Sequence, residues 1–184
     1  FKIALTGCSN DCAKARLHDF GIIGMTMPQY HPERCVSCQA CVKGCKSLSV
    51  NALHMENYKI IRDEEKCVGC GVCITKCPTR AWTRSPKKYY KLTIMGRTGK
   101  RNPRLGEDFL IWTDEDTIVK IILNTYRYVK EYIDPGAPGG KEHIGYIIDR
   151  TGFAEYKKWA LEGVELLPET KVRECVYWSG IHFD

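Results

Sequence analysis

The feature that most constrains this 184-residue chain is a cysteine pattern written twice. The first run is Cys35-x2-Cys38-x2-Cys41-x3-Cys45, and the second is Cys67-x2-Cys70-x2-Cys73-x3-Cys77-Pro78. The flanks repeat as well: Glu33-Arg34-Cys35-Val36-Ser37-Cys38 aligns with Glu65-Lys66-Cys67-Val68-Gly69-Cys70 at a period of 32. A repeat this short means duplicated units that share one core. A small secreted protein could pair its eleven cysteines as disulfides. Neighbours three or four positions apart are instead placed to converge on a metal, and thiolates are soft ligands suited to iron–sulfur centres. That usage points to a reducing, cytoplasmic setting.

Each run has the bacterial ferredoxin spacing for [4Fe-4S] clusters. Three thiolates at x2 intervals wrap a loop around three irons of a cubane, and the fourth, three residues on, points away toward the other cluster. Cys35, Cys38, Cys41 and Cys77 are therefore expected to hold one cluster, and Cys67, Cys70, Cys73 and Cys45 the other. Zinc is the competing reading, since four-cysteine zinc sites also use CxxC pairs, but such a site needs two pairs and leaves cysteines over. Lys46 stands where the first run would often carry Pro, a position that shapes the turn without touching the metal. Val36, Val42, Leu48, Val68, Val72 and Ile74 are expected to shield the clusters, and apolar shielding with backbone donors to sulfur tunes their potential.

The chain is long enough for one or two domains with a real core. It has no apolar run of membrane-spanning length and no signal peptide at Phe1-Lys2-Ile3-Ala4-Leu5. Opening on Phe1 suggests a piece of a longer protein. The formal net charge of +6 fits either a mildly basic solvated surface or recognition of an anionic cofactor, substrate or acidic donor protein. The basic residues are dispersed and no aromatic–basic motif appears, so nucleic acid is not an expected partner.

Three segments follow from the pattern. Residues 1–30 begin with a strand-like run and turn at Thr6-Gly7. A short helix is expected from Asn10 to Phe20, capped by Ser9 or Asn10 and stopped at Gly21. Residues 31–86 are the repeat. Residues 87–184 read as ordinary α/β structure, with strands at Lys91 to Met95 and Phe109 to Trp112. A helix is expected from Asp114 to Ile133, capped by Thr113 with Asp116 completing a capping box. Ile118, Ile121, Ile122, Tyr126, Val129 and Ile133 recur along it at helical spacing. A loop at Pro135–Gly140 and a helical stretch from His143 to Leu161, broken near Gly152, complete an α+β chain.

Two further groups carry candidate chemistry. Cys8 and Cys12 form a C-x3-C pair in Thr6-Gly7-Cys8-Ser9-Asn10-Asp11-Cys12. A thiolate in a first helical turn is stabilised by unpaired amides and the dipole; two ordinary buried cysteines would give the same pattern. The glycine-rich loop from Gly96 to Gly106 holds Arg97, Lys100, Arg101 and Arg104, either solvated or set against an anionic group. The five histidines lack metal-ligand spacing and read as structural, and Cys175 reads as a small buried side chain.

The segment around Cys8 and Cys12 resembles the second cysteine pair of the sirohaem-containing nitrite and sulfite reductase family. The continuation Asp19-Phe20-Gly21-Ile22-Ile23-Gly24, with the two-run insert after it, is most similar to anaerobic and dissimilatory sulfite reductase subunits. The stretches Gly96-Arg97-Thr98-Gly99-Lys100-Arg101-Asn102-Pro103-Arg104-Leu105-Gly106 and His143-Ile144-Gly145-Tyr146-Ile147-Ile148-Asp149-Arg150 fit as well. The resemblance implies a fold made of a sirohaem half-domain, 1–30 and 87–184, with an inserted ferredoxin-like 2[4Fe-4S] domain at 31–86. It implies a third [4Fe-4S] cluster coupled to sirohaem, with Cys8 and Cys12 as two ligands, Cys12 as the bridge, and Asn10 against the cofactor. The basic loop would then face the sirohaem carboxylates. The family's C-x5-C pair does not precede Cys8 in this sequence, so no catalytic residue is assigned here and the piece alone is expected to be inactive.

The implied function is transfer of electrons from an external donor protein or subunit, through the clusters, to sirohaem for six-electron reduction of sulfite to sulfide. Nitrite reduction at the same centre is the nearest rival, and a non-catalytic ferredoxin-type carrier without sirohaem is a rival of another class.

Overall fold

The structure is a computed structural model, and it describes residues 1–99 and 103–176. In chain order the strands are β1 (Ile3–Thr6), β2 (Phe20–Met25), β3 (Pro28–Tyr30), β4 (Leu53–Glu56), β5 (Lys59–Arg62), β6 (Trp82–Arg84), β7 (Tyr89–Ile94), β8 (Glu107–Thr113) and β9 (Lys171–Val172). The α-helices are α1 (Ala40–Ser47), α2 (Val72–Lys76), α3 (Glu115–Tyr132), α4 (Ile144–Thr151) and α5 (Phe153–Ala160). This is mixed helix and sheet of α+β type. Among the described residues no helix is long and apolar enough to cross a membrane.

The chain divides into two compact units. The first comprises Phe1–Gly7, Asp11–Gly24 and Tyr89–Asp184, and the second Cys8–Asn10 and Met25–Lys88. In the first unit a five-stranded sheet runs in the order β1-β2-β7-β8-β9. β1 and β2 are parallel, and the β7–β8 and β8–β9 pairs are antiparallel. Its core gathers Phe20, Leu92, Ile94, Phe109 and Leu110 from the sheet with Ile121, Tyr128, Ile147 and Tyr156 from the helices. β8 extends its expected strand at both ends, while β7 starts two residues earlier than expected and stops one short, at Ile94.

α3 forms where its apolar period predicts, with one shift. Asp114, not Thr113, is the cap, its Oδ1 accepting the Thr117 N–H at 3.0 Å. Ile118, Ile121, Thr125 and Tyr128 make the buried stripe, while Tyr126 is exposed. The predicted break falls at Gly152, whose φ of 91° ends α4 and starts α5.

The helix expected over 10–20 does not form. Asp11 and Lys14 are left-handed, with φ of 47° and 54°. Asp11 Oδ1 takes the Ala15 N–H at 2.7 Å, leaving a single 3-10 turn at Ala15–Leu17. A side-chain acceptor offers the backbone a competing local partner, which is why Asp disfavours helix interiors. Gly21 lies inside β2 rather than at a helix stop: a Cβ there would stand 2.3 Å from Thr93 Oγ1 and 2.6 Å from the Ala15 carbonyl oxygen.

The second unit is a pair of small antiparallel ribbons, β3–β6 and β4–β5, with α1 and α2 packed on each other. The helices meet at Gly44, where a Cβ would stand 3.0 Å from Lys76 Cγ. Cys41, Cys45, Ala52, Leu53, Ile60, Cys73 and Trp82 make its core. A core this small, composed so largely of thiols, has little apolar area with which to hold its fold.

Candidate metal centres

Each cysteine run starts as extended loop and ends in a short helix. Ser37 and Gln39 in the first run, and Gly69 and Gly71 in the second, adopt positive φ, so each loop coils back on itself between ligand positions. The third cysteine of each run, Cys41 and Cys73, is buried on its helix. Cys35, Cys67, Cys70 and Cys77 are partly buried, Cys45 is buried and Cys38 is exposed. No disulfide joins any of the eleven cysteines.

One cleft carries most of the information. It is lined by Cys67, Cys70 and Cys73 together with Cys45 of the other run. Arg62, Val50, Ala52, Leu53, Val68 and Val72 complete most of its wall. Burial, with the charges of Cys67 and Cys70 adding, pushes the Cys73 thiol up to about 12. Cys41 is raised, first by burial and also by the charge of Cys77, while the Trp82 indole and two backbone amides pull it down. Burial pushes Cys77 up as well, but donors from Thr79, Trp82 and Ala81 outweigh it and hold the thiol below its ordinary value.

The fourth cysteine of each run accepts a backbone N–H: Ala52 donates to Cys45 Sγ at 3.2 Å, and Ala81 to Cys77 Sγ at 3.2 Å. Trp82 Nε1 is buried and makes no hydrogen bond of regular geometry; its effect falls on Cys41. The Tyr30 hydroxyl accepts the Ile60 N–H at 3.2 Å and directs its own proton to Cys35. These are donors that thiolate sulfur would satisfy. Among the described residues no three His, Cys, Asp or Glu side chains converge as a single metal ion requires. Soft thiolates, inward amide donors and apolar walls fit [4Fe-4S] clusters.

The apolar shield differs from expectation at two positions. Val42, Val72 and Ile74 pack against the thiol core, but Val36 and Leu48 are 64% and 51% exposed. Both lie on loop or helix-end backbone that turns outward.

The remaining predicted residues are placed as follows. Cys8, Asn10 and Cys12 are all exposed. No helix begins there, so the dipole expected to stabilise their thiolates is missing. Cys8 and Asn10 group with the second unit, where Ser9 Oγ donates to the Val68 carbonyl at 2.6 Å, and Cys12 belongs to the first. Cys175 is exposed rather than buried. In the basic loop, Arg97 and Arg104 are only 2% and 4% exposed. They pair across an antiparallel bridge, and Arg104 Nη1 reaches Asp149 Oδ1 at 2.8 Å. Arg97 stacks over the Tyr146 ring at 4.1 Å. Lys100 and Arg101 lie outside the described residues.

Comparison with known proteins places the chain. Residues 1–166 match the model of the nitrite and sulphite reductase 4Fe-4S domain, and the chain belongs to that family. It is 45% identical over 181 residues to an anaerobic sulfite reductase subunit of Salmonella typhimurium, covering 97% of this chain and 52% of that protein. The equivalent protein of Salmonella typhi matches equally. A 46-residue segment is 44% identical to the coenzyme F420-dependent sulfite reductase of Methanocaldococcus jannaschii, covering 25% of this chain and 7% of that one. The crystal structure of dissimilatory sulfite reductase I superposes with a TM-score of 0.62 at 19% identity, over 100% of this chain and 47% of that one, a likeness of fold. The chain thus spans about half the length of the Salmonella relatives.

Proposed function

We propose that this chain is an iron–sulfur electron-transfer component of a sulfite reductase. The observation that carries the reading is the cleft that brings Cys45 among Cys67, Cys70 and Cys73, in a chain belonging to the nitrite and sulphite reductase family. Residues 31–86 form the ferredoxin-like insert, and 1–30 with 87–184 form the sirohaem half-domain. Cys67, Cys70, Cys73 and Cys45 hold one [4Fe-4S] cluster; Cys35, Cys38, Cys41 and Cys77 hold the other, a pairing supported by the effect of Cys77 on Cys41.

When bound, these clusters supply one-electron redox centres. The chain's own residues bind them, bury one face of each, and aim the Ala52 and Ala81 amides at the shared thiolates. Cys8 and Cys12 are two thiolates of a third cluster coupled to sirohaem, with Asn10 beside it. Arg104 and Arg97, held by Asp149 and Tyr146 respectively, anchor the base of the basic loop, whose Lys100 and Arg101 would bind the carboxylates of the cofactor. Two named sulfite reductases among the relatives support sulfite over nitrite as substrate, with another subunit or protein as donor.

The test is steady-state kinetics of the whole protein with its partners. The kcat/KM for sulfite is expected to exceed that for nitrite under one donor, and a nitrite preference overturns the assignment. This chain alone, reconstituted with iron, sulfide and sirohaem, is expected to show no sulfite-dependent oxidation of reduced methyl viologen, because Cys8 and Cys12 are half of a four-thiolate set.

A further inference from the structure

The two cluster sites are built by a repeat, and the repeat is broken at one position that lies against each. The period of 32 that aligns Cys35 with Cys67 also aligns Tyr30 with Arg62. The strand registers bear out the equivalence, since Tyr30 pairs with Trp82 across β3–β6, and Arg62 pairs with Leu53 across β4–β5. Residues opposite each other in an antiparallel pair share a face. One site is therefore walled by a Tyr–Trp pair, its rings 4.7 Å apart, and the other by Arg62 and Leu53, both of which line the cleft of Cys45, Cys67, Cys70 and Cys73.

The pairs differ in charge. Tyr30 and Trp82 are neutral and can offer only an O–H and an N–H to sulfur. Arg62 carries a permanent positive charge. Its side chain is 14% exposed, and Nη2 lies 2.9 Å from Glu64 Oε1, whose side chain is 65% exposed. That carboxylate is largely in solvent, where it is screened, while Arg62 itself lines the cleft. Reduction adds a negative charge to a cluster, and a buried cation nearby favours the more negative form.

We propose that Arg62 is a redox-positioning residue that raises the reduction potential of the cluster held by Cys45, Cys67, Cys70 and Cys73 above that of its partner. The difference makes the pair directional. Cys35, Cys38, Cys41 and Cys77, where Cys38 is exposed, would hold the centre that accepts an electron from a reduced donor protein, and the Arg62-side ligands would hold the centre of higher potential. The donor is oxidised by one electron, and no proton or bond change is needed. The inference rests on the two-cluster reading above.

The experiment is EPR-monitored potentiometry of the cluster-loaded protein, with iron and sulfide measured on each sample. Two resolved couples are expected in the wild type. Arg62→Gln is expected to lower one couple only, so that its reduced-to-oxidised ratio at fixed potential falls by about tenfold, a ~59 mV shift for one electron. Arg62→Lys restores most of that shift. Glu64→Gln, at an exposed position, moves the same couple upward and serves if Arg62→Gln loses its cluster. Tyr30→Phe lowers the other couple. No shift in any Arg62 or Glu64 variant, or equal shifts of both couples, overturns the inference. A wild type without two clusters by iron analysis would instead refute the two-cluster reading beneath it.

Discussion

Cys45 is the residue whose position separates two ways of using the same eight thiols. It sits on α1 with the first run in sequence, yet it lines the cleft of the second. Cys45→Ala is therefore expected to damage the cluster whose other ligands are Cys67, Cys70 and Cys73. The Cys35–Cys38–Cys41 site would keep its ligands. EPR of the reduced variant checks this: one cluster signal survives, and loss of the signal assigned by Cys38→Ala instead would contradict the crossing. A second residue, Asp108, tests the first unit. Its carboxylate lies 2.7 Å from Arg16 and 2.9 Å from Lys91, with side chains 13% exposed at Asp108 and Lys91. Burial pushes that carboxyl up, but the two cations outweigh it and hold it below the ordinary Asp value. A depressed folded pKa means stability that is present above the unfolded value of about 3.9 and lost as pH falls through the folded one. Asp108→Asn leaves the two cations facing each other and is expected to cost about 3 kcal/mol, near the range for removing one partner of a buried pair. Urea unfolding followed by circular dichroism at neutral pH measures it.

At the scale of elements, the basic loop is held from below. Its two ends meet in the Arg97–Arg104 bridge, and α4 supplies Asp149 to Arg104 and Tyr146 to Arg97. Gly96 enters it with no room to spare: a Cβ would stand 2.2 Å from the Arg16 carbonyl oxygen and 2.5 Å from that of His18. Both are backbone atoms, so Gly96→Ala must displace the chain and is expected to destabilise by about 1–3 kcal/mol, read as a lower urea midpoint at unchanged slope. The loop also marks where sequence reasoning stops. Ligand spacing is local, so the cysteine runs were legible without coordinates, as were α3 and the α4–α5 break from apolar period and Gly152. Arg97 and Arg104 read as loop cations facing solvent or an anionic cofactor because Asp149, the partner of Arg104, lies 45 residues from it along the chain. The helix over 10–20 was misread because the competing acceptor, the Asp11 carboxylate, leaves the apolar pattern unchanged. Arg62 went unnoticed because its meaning lies in a strand register. Asp114 could have been found as the α3 cap, since it is as good a capping residue as Thr113.

For the molecule as a whole, charge is divided as sharply as structure. The second unit carries eleven Lys and Arg against five Asp and Glu. Its net +6 accounts for all of the +6 of the chain, which holds 28 and 22. Even with roughly two negative charges on each oxidised cluster and its thiolates, the unit stays positive. An acidic ferredoxin used as one-electron donor is therefore expected to reduce it several-fold more slowly when salt rises from about 0.05 to about 0.5 M, because screening shortens the reach of attraction. Stopped-flow rates that do not fall with salt would contradict an electrostatically guided donor. Beneath the redox and donor expectations lies the claim that the two cysteine runs hold two [4Fe-4S] clusters. Anaerobic iron and acid-labile sulfide analysis, with Mössbauer spectroscopy of the same sample, tests it most directly. Eight-thiolate ligation predicts about eight irons and eight sulfides in the two runs, all in cubane-type sites, whereas zinc, or iron for a single cluster, would contradict it.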